Sequence, residues 1–291
     1  MQNPHTKWRI DFAQHLAKRL VTFEGIKAIV IAGSVARDYA DAYSDIEISI
    51  FWDVLPDDAR RQAIVTALNA EFLYVYDGPA REDQLLINGI QVDLWHVPIM
   101  HQEQILKTVL HNYNFDLSTL NALDTIRSCI PLYGHEIVQD WKRQAQEYPD
   151  KLAEKIIREQ LAAFSVSELF ILAQRNNPTA FYAQLSFLQQ EIFLVLLALN
   201  RMYFPTYKWL YRVLESMQVK PAAVGPRFRQ AYSVPYTEAI ADTKSLLQET
   251  VHFVERQFSQ IDTALIYRRL DYLRAAQDSS ESVRFFSEFR E

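Results

Sequence analysis

Two acidic side chains stand where they could share a divalent cation. Asp45 and Glu47 lie two residues apart in a segment that alternates polar and apolar residues (45–52). The alternation of a strand places residues i and i+2 on one face. Neighbouring carboxylates repel unless a proton or a cation neutralises one of them. Because hard oxygen ligands favour Mg²⁺, the spacing predicts a magnesium site.

A third acidic residue, Asp93, could join the same metal site. It lies in Val-Asp-Leu, on the second arm of a hairpin that Asn88-Gly89 predicts between two apolar runs. If this arm pairs beside segment 45–52, the Asp93 carboxylate reaches the same pocket.

The turn at Gly33-Ser34 could bind phosphate on the side opposite the carboxylates. It ends the apolar run 27–32, and glycine lets a phosphate approach the backbone closely. A short helix with Ser34 as its N-cap would offer free N–H groups and a hydroxyl. Phosphate held on one side and a carboxylate-bound metal on the other is what phosphoryl or nucleotidyl transfer needs.

The elements that must position these residues follow from glycine usage and periodicity. Four of the six glycines fall within the first 90 residues, which predicts a turn-rich, mixed α/β part. Beyond Met100, apolar residues three and four apart predict helices. We therefore expect an α+β protein with a mixed sheet-and-helix domain at 1–135 and a helical domain at 136–291. Strands are predicted at 27–32, 45–52, 73–76, 84–87 and 90–97, with helices at 8–23 and 59–72 among others.

Composition limits the function classes. The net charge of −6 provides no global basic field, so nucleic acid is not an expected partner. The single cysteine, Cys129, excludes an internal disulfide framework and is predicted to be a buried small hydrophobe. The longest apolar run, 192–199, is far shorter than the roughly 20 residues of a bilayer span. We expect a cytoplasmic protein without a membrane segment; the oligomeric state is left open.

Residues 31–48, Ile-Ala-Gly-Ser followed by Ser-Asp-Ile-Glu-Ile, resemble the signature of the DNA polymerase β-like nucleotidyltransferase superfamily. Asp93 in Val-Asp-Leu is similar to the third carboxylate of that family, and Glu47 stands where Asp is commoner. The helical remainder is similar to the C-terminal halves of bacterial aminoglycoside and lincosamide nucleotidyltransferases. The stretch 199–209 also resembles a bacterial domain family of unknown function.

The resemblance implies an NTP site and a reaction, with 1–135 as the catalytic domain and 136–291 as the substrate-binding domain. Gly33 and Ser34 would hold the β- and γ-phosphates of an NTP, with ATP as the expected donor. Asp45 and Glu47 would bind one or two Mg²⁺ ions, and Asp93 would be either a third metal ligand or the general base for an acceptor hydroxyl. The implied reaction transfers NMP to a small hydroxylated acceptor, an antibiotic among the candidates, and releases pyrophosphate. The alternatives are a protein or tRNA hydroxyl as acceptor, or a catalytically silent binding or antitoxin-type protein on the same fold.

Other polar side chains leave two interpretations open. Arg37 either contacts phosphate or is a solvated surface arginine. Lys208 and Arg201 either reach the triphosphate from the second domain or are charges at a helix end. For His96 we expect a surface or capping role, and Asp83 is predicted to lie in a solvated loop.

Overall fold

The computed structural model describes residues 3–78 and 80–275. One compact unit comprises the described residues of Met1–Leu152 together with Met202–Thr206, and a second unit those of Ala153–Arg201 and Tyr207–Glu291. The end of the predicted helical domain, 276–291, lies outside the described residues. That one domain is catalytic and the other binds substrate stays a prediction.

A six-stranded mixed sheet forms the centre of the first unit. Its spatial order is β3-β4-β5-β2-β1-β6, with β2 and β5 parallel and every other neighbouring pair antiparallel. The strands are β1 (Ile26–Ile31), β2 (Ile46–Trp52), β3 (Glu71–Asp77), β4 (Arg81–Ile87), β5 (Ile90–Pro98) and β6 (Ile130–Tyr133).

Helices cover both faces of this sheet. One face packs against α1 and α3 through a core that includes Ile46, Ile48 and Leu94. The opposite face meets α6, where the rings of Phe51 and Trp141 lie 4.8 Å apart. The helices of this unit are α1 (Pro4–Leu20), α2 (Gly33–Ala36), α3 (Asp58–Leu68), α4 (Ile99–Leu110), α5 (Leu117–Ser128) and α6 (His135–Gln146). The next helix, α7 (Asp150–Leu161), begins at the end of this stretch, and most of it belongs to the second unit.

All regular elements among the described residues of the second unit are helices. Its elements are α8 (Ser167–Gln174), α9 (Pro178–Leu199), a 3-10 helix (Tyr207–Trp209), α10 (Leu210–Ser216), α11 (Val224–Gln230), α12 (Tyr236–Gln257) and α13 (Ala264–Asp271). By length and composition α9 would suffice to cross a membrane, but 67% of its apolar window is buried inside the protein. Such burial is typical of a core helix.

A mixed sheet followed by helices confirms the predicted α+β class.

Local backbone conformation explains why the predicted hairpin is observed and why one predicted helix end is wrong. Asn88 and Gly89 both have positive φ, and β4 pairs antiparallel with β5, so the predicted hairpin is confirmed. The helix predicted to end at Phe72 ends at Leu68 instead, because Asn69 adopts the left-handed conformation that terminates helices. Cys129 is buried as expected, and burial raises the pKa of its thiol to about 11.

Candidate functional site

Gly33 lies directly against a carboxylate of the predicted site. Its φ is +62°, and a Cβ built there would overlap Cδ and both carboxylate oxygens of Glu47. The left-handed backbone favours glycine here, and any larger residue would push the Glu47 carboxylate aside. A phosphate approaching Gly33 from that side would have to displace the Glu47 carboxylate.

Ser34 does not have the predicted capping role. The helix begins two residues earlier than predicted, its N-cap is Ala32, and no side chain caps it. Ser34 is instead buried, and its Oγ has no hydrogen-bond partner among the described residues. An unpaired buried hydroxyl costs about 1–3 kcal/mol, which a ligand oxygen would recover. Because α2 spans only four residues, its dipole is small, so the Ser34 hydroxyl carries the phosphate argument.

The carboxylates of Glu47 and Asp93 stand on neighbouring strands at the same level. The parallel register of β2 and β5 pairs the Cα of Glu47 with that of Asp93, so both side chains point to one face, about 4.8 Å apart at the backbone. Asp93 is buried, and its Oδ1 accepts a 3.0 Å hydrogen bond from Gln91 Nε2. The predicted pairing of these two strands is confirmed.

Asp45 lies one residue before β2, beside a buried arginine that sequence reasoning missed. Arg9 donates to the Ser44 carbonyl through Nε (3.0 Å) and Nη2 (2.6 Å) and so fixes the backbone that leads to Asp45. Burial lowers the pKa of Arg9, while the charges of Asp41 and Asp45 oppose that shift. The Oδ1 of Asp45 is buried without a hydrogen-bond partner among the described residues.

The oxygen donors of these residues suit a divalent cation, but their arrangement matches a metal site only in part. Among residues 3–78 and 80–275, no three His, Cys, Asp or Glu side chains are grouped tightly enough to hold a metal ion. Mg²⁺ is usually held by one or two carboxylates together with substrate phosphates. The paired Glu47 and Asp93, with the unpartnered oxygens of Ser34 and Asp45, suit that mode of binding. The three-carboxylate site stays a prediction.

Arg37 forms an ion pair inside the first unit. Its Nε lies 2.8 Å from Asp124 Oδ2, Nη2 bonds the same oxygen, and only 9% of its side chain is exposed. The solvated alternative is therefore wrong, and the pair ties the end of α2 to α5. Burial raises the pKa of Asp124, although Arg37 and Arg127 oppose the shift. A phosphate contact by Arg37 stays a prediction.

The two cations predicted from the helical part belong to the second unit. Arg201 donates through Nη1 to the carbonyls of Ala198 and Leu199 at the end of α9, which agrees with the interpretation as a helix-end charge. Lys208 lies in the 3-10 helix, with its Nζ 5.5 Å from the ring centroid of Trp209. Its role at a triphosphate stays a prediction.

The expectations for His96 and Asp83 are wrong. Both are fully buried, and His96 Nε2 lies 3.0 Å from Asp83 Oδ2. Trp52 Nε1 donates to His96 Nδ1 at 3.1 Å, so the neutral imidazole carries its proton on Nε2, toward Asp83. Arg61 Nε completes the network with a 2.9 Å bond to Asp83 Oδ1. The missed signal is the period of two that Asp83 shares with the buried residues Leu85 and Ile87.

Comparisons with known proteins give limited similarities. A family model described as a domain of unknown function (DUF4037) matches residues 127–210, less than a third of the chain, which overlaps the stretch where such a resemblance was expected. The comparison with curated proteins found no match.

Two solved structures are similar to this chain at 12% identity. The structure of a nucleotidyltransferase-like protein from Exiguobacterium sibiricum 255-15 has a TM-score of 0.40 and covers 86% of this chain and 79% of its own. The complex of a CCA-adding enzyme with CTP has a TM-score of 0.28 and covers 96% and 81%. Similarities of this strength do not establish a shared activity.

Proposed function

We propose that this protein is a nucleotidyltransferase that transfers NMP from an NTP to a hydroxyl of a small acceptor. One observation carries the proposal: Glu47 and Asp93 stand opposite each other on neighbouring parallel strands, and the Glu47 carboxylate lies over Gly33. Negative side chains at this turn would repel a polyanion unless a cation joins the two. This combination favours a metal–NTP complex over an apolar or anionic ligand alone.

In this proposal Glu47, Asp93 and Asp45 hold one or two Mg²⁺ ions together with the phosphates of the NTP. When bound, the metal neutralises phosphate charge and stabilises the charge that develops on the phosphate oxygens. The Ser34 hydroxyl donates to a phosphate oxygen, and Gly33 admits the phosphate once the Glu47 carboxylate has turned toward the metal. Arg37 and Lys208 are further proposed phosphate ligands.

The proposed reaction forms one bond and breaks one. The acceptor oxygen attacks the α-phosphorus, the bond to the β-phosphate bridging oxygen breaks, and pyrophosphate leaves. The acceptor hydroxyl proton passes to a base. Asp93 is either that base or solely a metal ligand, and its burial beside Glu47 suits both roles.

The proposal also covers the donor, the metal, the acceptor and the location of the protein. ATP is the proposed donor and Mg²⁺ the proposed metal. The acceptor is proposed to be a small hydroxylated molecule, an antibiotic among the candidates, bound with the help of the helical part, and the protein is proposed to act in the cytoplasm. The net charge of −6 favours such an acceptor over tRNA, because binding RNA calls for a basic surface.

Labelled NTPs, Mg²⁺ and a panel of small hydroxylated acceptors test the proposal, with release of pyrophosphate as the readout. Asp45→Asn should abolish transfer without unfolding the protein. Asp53→Asn is the matched control, because Asp53 is half-exposed and bonded to Lys27 at the other end of β2. An unaffected rate in Asp45→Asn contradicts the site. If the label appeared on protein or tRNA instead, the acceptor would be a macromolecule and not a small molecule. If NTP did not bind in a Mg²⁺-dependent way, a catalytically silent binding protein would be favoured.

A further inference from the structure

The edge strand β3 exposes an unusual amount of apolar surface. All seven of its residues are exposed, and the five from Phe72 to Tyr76 are large and uncharged. Their exposed fractions run from 37% at Phe72 to 56% at Tyr74. Since β3 is the outermost strand of the sheet, the backbone N–H and C=O groups on its outer side are not used by the sheet.

Edge strands normally carry features that prevent pairing with another chain, such as lysine, proline, a charge directed inward, a short length or a β-bulge. The run 72–76 is Phe-Leu-Tyr-Val-Tyr and has no charge or proline. One bulge, where the register shifts between Phe72 and Tyr74, interrupts its pairing with β4. A run of this composition on an open edge is typical of a surface that another strand covers.

We propose that β3 of a second copy of this chain covers it, antiparallel and across a two-fold axis, so that two six-stranded sheets become one continuous sheet. The proposal does not depend on the catalytic function proposed above. Three features favour a second copy as the partner: the side-chain faces of β3, the charges at its ends and the nature of the opposite sheet edge.

The faces of β3 match in one antiparallel register. Phe72 and Val75 pair with the buried residues Leu85 and Asp83, so they share the face of the α1–α3 core, whereas Tyr74 lies on the other face opposite Gln84. A two-fold axis at Tyr74 sets Phe72 opposite Val75 of the second copy, because the bulge at Leu73 takes up no step of the ladder. Cross-strand pairs of aromatic and β-branched residues each contribute roughly 0.2–1 kcal/mol.

The charges at the strand ends also favour this arrangement. Parallel, in-register pairing would place Glu71 beside Glu71 and Asp77 beside Asp77, like charges that destabilise a pair. In the antiparallel register Glu71 faces Tyr76 of the second copy. Asp77 already has a cationic partner, since its Oδ1 lies 2.7 Å from Arg61 Nη1.

The opposite edge of the sheet makes a closed pair the expected product. β6 has only four residues, and Pro131 within it has no N–H to donate. Pairing through β3 alone therefore closes at two copies. The three aromatic rings of β3, roughly half exposed and about 200 Å² each, would bury about 300 Å² per copy. This is well below a standard stable interface, so we expect a dimer that dissociates in the micromolar range.

Sedimentation velocity of the full chain, from nanomolar to high micromolar concentration, tests the proposal. The wild type should shift from monomer to dimer, and Tyr74→Lys, which places a charge in the exposed strand, should stay monomeric. Tyr43→Lys is the matched control, because Tyr43 is 97% exposed and outside the sheet; it should dimerise as the wild type does. Hydrogen exchange of the wild-type β3 amides should slow as concentration rises, a readout that needs no variant.

Four results would overturn the proposal: a wild type that is monomeric at every concentration, a Tyr74→Lys variant that still dimerises, assemblies larger than two, or β3 amides whose exchange does not depend on concentration.

Discussion

Glu47 and Asp93 face each other across two parallel strands although a helix and a hairpin separate them in the chain. The β2–β5 register fixes this relationship, since Ile48 with Leu94 and Ile46 with Val92 form adjacent buried pairs. A one-residue slip would turn all these side chains to the wrong face. The apolar core therefore holds the two carboxylates together, against their mutual repulsion.

Gly33→Ala should weaken NTP binding more than it weakens the fold. The new Cβ would overlap the Glu47 carboxylate, and the positive φ adds about 1 kcal/mol of strain. The matched control is Gly89→Ala, which has φ +81° with no atom within 4 Å of the new Cβ. Both variants should lose similar stability in thermal unfolding, and only Gly33→Ala should lose NTP affinity. Equal affinities in the two variants would count against the position of the phosphates.

Ser34→Ala should leave the stability of the ligand-free protein unchanged or slightly raised, because the hydroxyl it removes is buried without a described partner. NTP affinity should fall about 3- to 10-fold, the equivalent of one hydrogen bond. Thr6→Val removes another buried, unpartnered hydroxyl, on α1, and should leave affinity unchanged. Calorimetric titration measures both; a Ser34→Ala variant that binds NTP as the wild type does would remove Ser34 from the site.

The paired variant Arg37→Met with Asp124→Leu separates structure from phosphate binding. Loss of either partner alone should destabilise the protein, because it leaves a nearly buried charge without its partner. The double variant replaces the ion pair with apolar side chains and should recover most of that stability. If Arg37 also binds phosphate, the double variant still loses NTP affinity, which is the result we expect. Wild-type affinity in the double variant would show that Arg37 is structural only.

Asp83→Asn should cost about 3–5 kcal/mol in the free energy of unfolding, because it leaves Arg61 buried without its main partner. Burial acts to raise the pKa of Asp83, but the bonds from His96 and Arg61 outweigh it, so the pKa lies below its ordinary value. A lowered pKa in the folded state means that the contribution is present above the unfolded pKa of about 3.9. It is lost as the pH falls through the folded value.

Denaturant unfolding at several pH values measures this. The difference between the wild type and Asp83→Asn should be constant from pH 7 to pH 5 and should shrink below about pH 4. Asp58→Asn, whose carboxyl also faces Arg61 but is 92% exposed, should change stability very little. A difference between wild type and Asp83→Asn that does not change with pH would contradict the ionised state of Asp83.

The sequence predicts the parts of this protein that local pattern controls. The alternation of 45–52, the Asn88-Gly89 turn and the apolar run before Gly33 each point to the observed element. Arg9 and Asp83 escaped prediction because charged residues in a sequence are ordinarily solvated. Only the tertiary structure shows that Ser44, His96 and Arg61 satisfy them. The capping role given to Ser34 failed for a related reason, since a shift of the helix start by two residues turns a cap into a buried hydroxyl.

Calorimetric titration of ATP into the full chain, with Mg²⁺ and with a chelator, tests the central claim most directly. We expect binding by the wild type in Mg²⁺, with little or none in chelator. Affinity should fall at least about tenfold, or 1.4 kcal/mol, in Glu47→Gln, and Asp53→Asn should match the wild type. ATP binding that is indifferent to Mg²⁺, or a Glu47→Gln variant that binds ATP as tightly as the wild type, would contradict the metal–NTP site.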